Sequence, residues 1–122
     1  MRPSSDTIVL TIPREERFRA VASLVLGGIG SRLDLPYERM DDLQLAVLSL
    51  LEAGTGSELS VEVERRTDGV AISVGPLAAG SAADTGLSRV VGRLVDGVEA
   101  DVREDGEWVT LRLSTAREST AA

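Results

Sequence analysis

The stretch DDLQLAVLSLLEAGTG, from Asp41 to Gly56, constrains this chain more than any other. Met40, Leu43, Val47, Leu50 and Leu51 recur at helical spacing with Ala46 between them, and Leu45 and Leu48 widen the stripe beyond the usual arc. A helix this broadly apolar needs cover on more than one side. A sheet below it and another element or a partner above it would supply that cover. The small residues of AGTG stop the helix.

The flanking segments supply candidates for the cover. TIVLTI, residues 7–12, reads as a strand, and Pro13 ends it or enters the first turn of a following helix. That helix runs to about Leu33, with Phe18, Val21, Ala22, Val25, Leu26, Ile29 and Leu33 on one stripe. Gly27, Gly28 and Gly30 sit in its second half, where each costs roughly 1 kcal/mol of helix propensity relative to Ala. Close approach of a neighbouring backbone would offset that cost; a locally weak helix is the other reading. Pro36 opens the second helix.

ELSVEVERR alternates Leu59, Val61 and Val63 with Glu62 and Glu64; TDG supplies a turn and VAISV alternates again. These features predict a β-hairpin with one wet face. GPLAAGSAADT, residues 75–85, reads as a loop. A third helix follows, with Leu87, Val90, Val91, Leu94 and Val95 as its stripe and Asp84 or Thr85 as its cap. VEADVRE, a turn at Asp105–Gly106 and EWVTLRLS close a second hairpin.

The expected order is β–α–α–β–β–α–β–β: an α/β (α+β) two-layer sandwich with a mixed sheet and its helices on one face. One domain is expected over residues 7–114, between flexible ends at 1–6 and 115–122. The 122-residue length fits one domain.

Composition narrows the function classes. There is no Cys and no His, which removes disulfides, thiol nucleophiles, imidazole bases and the usual zinc ligands. The net charge is −7 and all 13 basic residues are Arg, with no basic run, so nucleic acid is not an expected partner. No apolar run approaches the ~20 residues that span a bilayer. A cytoplasmic, membrane-free protein is the expectation.

The segment LVLGGIGSRLDLPYERMDDLQLAV, Leu24 to Val47, resembles the first two helices of the anti-sigma-factor serine kinases (RsbW-like), members of the histidine-kinase-like (GHKL) ATPase superfamily. GLSRVVGRLVDGVEADVREDGEWVTLRL resembles that family's third helix and terminal hairpin. The resemblance covers about Ile8 to Leu113. It implies the histidine-kinase-like ATPase fold, a sigma factor or a STAS-type anti-anti-sigma factor as protein partner, and a homodimer.

The resemblance also implies a nucleotide site, and here the motifs depart from the family. The family's second helix carries a Glu and, four residues later, an Asn; residues so spaced share one helix face and can serve a metal-bridged phosphate. Those positions hold Ser49 and Ala53, with Glu52 adjacent. The family's adenine-binding Asp falls at Gly75 and Pro76, which offer no side-chain acceptor. The glycine-rich start of the third helix is reduced to TGLSRV, with Gly86 matching one glycine and Ser88 standing where another is usual.

The expectation is therefore a non-catalytic, anti-sigma-factor-like regulator in transcriptional partner switching, with ATP binding lost or weak. No catalytic residue, metal or cofactor is expected. The alternative is an active serine kinase using ATP and Mg through Glu52 or Ser49. A third reading fills the former cleft with Leu45, Leu48 and Leu77, or places an apolar small molecule there. Trp108 is expected to anchor the last strand on the core or to lie at an interface.

Overall fold

The computed structural model describes residues 7–33, 35–52 and 56–114. The order is β1 (Thr7–Pro13), α1 (Phe18–Arg32), α2 (Tyr37–Leu51), β2 (Glu58–Arg66), β3 (Gly69–Leu77), α3 (Thr85–Leu94), β4 (Gly97–Arg103) and β5 (Gly106–Ser114), with a short 3-10 turn at Ser81–Ala83. This is the expected succession. The expected ends at 1–6 and 115–122 lie outside the described residues.

The sheet has the order β1-β2-β3-β5-β4, and every neighbouring pair is antiparallel. The mixed sheet read from the sequence is thus corrected. The single-helix crossover through α3 does bring β4 back in the direction of β3, as a βαβ unit must. The chain then turns at Asp105–Gly106 and inserts β5 between the two, so no parallel neighbours remain.

Alternation in the sequence becomes two faces. On the helix side Ile8, Val63, Ile72, Leu111 and Val98 form one row across all five strands. Leu10, Val61, Val74, Val109 and Ala100 form the next. The central strands supply fully buried Val61, Ile72, Val74 and Leu111, against Leu26, Leu43, Val47 and Leu50 of the helices. Aliphatic residues build this core almost alone. The opposite face carries Ser60, Glu62, Ser73 and Thr110, with Thr11–Ser60 and Ser73–Thr110 hydroxyl pairs at 2.9 Å.

Pro13 belongs to β1, where it pairs with Glu58, and α1 begins only at Phe18. The glycines of α1 also take a definite reading. A Cβ on Gly30 would lie 3.1 Å from Met40 Cγ, and one on Gly27 would lie 3.3 Å from Gln44 Nε2. Gln44 Nε2 also donates to the carbonyl of Ser23 at 2.7 Å. Two glycines therefore seat side chains of α2, rather than a neighbouring backbone. Gly28 faces open space.

Arg39 of α2 bonds to Asp96, which also accepts from the backbone N–H of Ser114 at 2.6 Å. One carboxylate thus joins α2 to the α3–β4 connection and the end of β5. Among the described residues, no helix is long and apolar enough to cross a membrane.

Candidate functional site

The broad apolar stripe of α2 divides between two environments. Leu43, Ala46, Val47, Leu50 and Leu51 are buried in the core. Leu45 and Leu48 point elsewhere: Leu45 is 54% exposed and Leu48 is half-buried. They line a groove of about 550 Å³ between α2 and α3, together with Ser49, Glu52, Gly86, Leu87 and Val90. Val90, expected on the buried stripe of α3, is 50% exposed and forms the far wall. The element above α2 is thus α3, but it covers only part of the stripe.

Asp84 fixes that wall. Its side chain caps α3 by accepting from the Leu87 N–H at 2.9 Å, the first of the two cap alternatives. Capping satisfies an amide that the first helical turn leaves without a partner. It also holds Leu87 and, one turn on, Val90 in place.

Three of the residues singled out for a nucleotide line this groove: Ser49, Glu52 and Gly86. Ser49 and Glu52 both have polar partners within the protein. The Ser49 hydroxyl donates to the carbonyl of Leu45 at 2.9 Å, the back-bond of a helix serine. The Glu52 carboxylate sits 3.2 Å from Arg19 Nη1 of α1. Glu52 also lines a second hollow of about 460 Å³ on the α1 side, with Arg19, Glu15, Glu16 and Ile12.

The remaining positions are not brought to the groove. Gly75 lies under Trp108: a Cβ on Gly75 would fall 2.4 Å from Trp108 Cδ2. Pro76 packs toward Gly106, whose added Cβ would meet Pro76 Cβ at 3.2 Å. Ser88 is exposed on α3 and does not line the groove. Ala53 lies outside the described residues. Leu77, expected to help fill the cleft, is 2% exposed and belongs to the main core instead.

Trp108 resolves the alternatives posed for it in an unexpected way. It is buried, at 4% exposure, yet it is not part of the helix-side core. β-Alternation puts it on the opposite face, with Thr110 and Arg112. Gly75 is the floor beneath its ring. Arg103 reaches over it from β4, with the guanidinium carbon 3.9 Å from the ring centroid. Arg103 Nη1 donates to both carboxylate oxygens of Glu62 on β2 at 3.1 Å. Burial opposes the Arg103 charge, but the hydrogen bond and charge of Glu62, with Asp101 behind it, outweigh burial and raise its pKa further. Trp108 Nε1 donates to Asp105 Oδ1 at 2.8 Å, so the indole is satisfied at its polar edge.

A magnesium nucleotide needs several free oxygen donors near phosphate and an acceptor for the base. Among the described residues the groove offers one carboxylate, in an exposed ion pair with Arg19, and one hydroxyl, whose proton goes to a backbone carbonyl, among four aliphatic side chains. These residues do not fit that ligand. No protein-family model matches the chain, and no curated protein matches it.

Proposed function

We propose that this protein is a non-catalytic, anti-sigma-factor-like regulator that binds a protein partner, a sigma factor or a STAS-type antagonist, through the groove between α2 and α3. The observation that carries this reading is the lining of that groove. Beside Ser49, Glu52 and Gly86, three of the positions that the family resemblance would give to a nucleotide, Leu45, Leu48, Leu87 and Val90 form an accessible aliphatic surface. Partly exposed aliphatic side chains gathered in one concavity favour docking of an apolar side chain or helix face. The homodimer belongs to the same proposal and rests on the resemblance alone.

The kinase alternative requires Glu52 or Ser49 to act on a phosphate; the Glu52 carboxylate is ion-paired with Arg19, and Ser49 gives its proton to the Leu45 carbonyl. The small-molecule reading draws on the same groove. It differs in occupant; the exposure of Leu45 and Val90, 54% and 50%, favours a protein surface over a small ligand, which needs cover on most sides.

Affinity capture from native cell extract tests the proposal, with bound proteins identified by mass spectrometry. Wild type should retain a sigma factor or a STAS protein, and Leu45→Glu with Val90→Glu should release it. Both substitutions fall at exposed positions, so folding is retained. Recovery of neither partner class, or equal capture by the variant, would overturn the proposal.

A further inference from the structure

We propose that the free edge of β4 is a second docking surface, which takes up an extended segment of a partner protein whose residues alternate between basic and aliphatic. The surface is independent of the α2–α3 groove and does not rest on the function proposed for it.

The sheet order leaves β4 at the edge, so among the described residues one backbone side of its seven residues has no strand beside it. Such an edge is a template for pairing, and proteins usually blunt it with proline, a bulge, a short strand or an inward-pointing charge. β4 has no proline or bulge and is seven residues long, with the inward-turned Arg103 only at its end; its edge charges, Glu99 and Asp101, oppose pairing with another acidic strand but not with a basic one. Its register with β5 is unbroken from Gly97↔Arg112 to Arg103↔Gly106. Its helix-side residues are Val98, Ala100 and Val102, all exposed, with Val102 at 81%. The other edge strand, β1, ends in Pro13.

Charge selects the occupant. The outer row of β4 carries Glu99 and Asp101, with Glu104 at the turn. Arg103, the one basic residue of β4, is shared between Glu62 and Asp101, so the strand keeps a net negative charge. Glu99 and Asp101 are ion-paired at 3.4 Å with Arg112 and at 3.5 Å with Arg103, but both are more than half exposed, so these pairs are weak. A second copy is disfavoured. In the face-matched antiparallel register centred on Ala100, Glu99 stands opposite Asp101 of the other copy at two places, and like charges directly opposite destabilise a strand pair. A strand with Arg or Lys at those places and Val or Ile between them satisfies both rows.

The test uses the full chain and a blocked peptide of about seven residues that alternates valine with arginine or lysine. A peptide of the same composition with its valines in one block is the comparison. Titration is read by calorimetry, and hydrogen exchange locates the contact. The proposal expects saturable binding of the alternating peptide, slowed exchange at Val98–Val102, and at least about tenfold weaker binding by Val102→Lys and by Glu99→Lys with Asp101→Lys. These residues are exposed, so the variants keep the fold, which their melting curves verify. Equal binding of the two peptides would overturn it, as would protection outside β4, or no binding up to about 1 mM. Self-association of wild type that Val102→Lys abolishes would identify a second copy as the occupant and would also overturn it.

Discussion

Trp108 occupies the space that any side chain on Gly75 would need: a Cβ there would stand 2.4 Å from the indole Cδ2. Glycine at this position is therefore a packing requirement. An aspartate, which the family resemblance would place here, would collide with the indole. Gly75→Ala is predicted to cost about 1–3 kcal/mol, the usual range for overpacking. Thermal melts measure the loss, and a red-shifted emission of the single tryptophan reports the displaced ring.

The Arg103–Glu62 pair closes Trp108 from above. Both side chains are about one-third exposed, 34% and 33%, so their ion pair is partly screened. A double-mutant cycle with Arg103→Ala and Glu62→Ala should give a coupling of about 0.5–1 kcal/mol. Arg103→Ala should cost more than Glu62→Ala, because it also removes the cation over the ring. Zero coupling would mean that the guanidinium holds its place without Glu62.

The glycines of α1 predict opposite responses to one substitution. Gly28→Ala meets nothing within 4 Å and should stabilise the protein by roughly 0.5–1 kcal/mol, through helix propensity. Gly30→Ala should gain less or lose stability, because its methyl would press on Met40 at 3.1 Å. Denaturant midpoints of the two variants make the comparison.

Asp84→Ala removes the α3 cap and should cost about 1 kcal/mol. Amide exchange should quicken at Leu87, whose N–H the carboxylate holds. If the groove is the docking surface, partner capture should weaken as well, since Leu87 and Val90 form its wall.

Much of the fold was legible because each element has a local cause. The alternation in ELSVEVERR and VAISV, and the turns at TDG and DG, fix both hairpins before any tertiary contact is known. Strand order is not local: nothing in the residues of β5 says that it inserts between β3 and β4, and the mixed sheet was wrong for that reason. At the groove, a serine at position 49 could be read directly, whereas its contact with the Leu45 carbonyl could not. The place of Gly75 could not, because it depends on Trp108, a distant residue brought beside it only by the bulged β3–β5 pairing. The breadth of the α2 stripe did carry a true signal. Leu45 lies outside the core and Leu48 at its margin, on a surface that α3 covers only in part.

The central claim is that this groove serves a protein partner rather than a nucleotide, and calorimetric titration with Mg-ATP tests it most directly. The account predicts no saturable heat up to about 1 mM nucleotide, and no change on Glu52→Ala. Saturable micromolar binding that Glu52→Ala abolishes would contradict it.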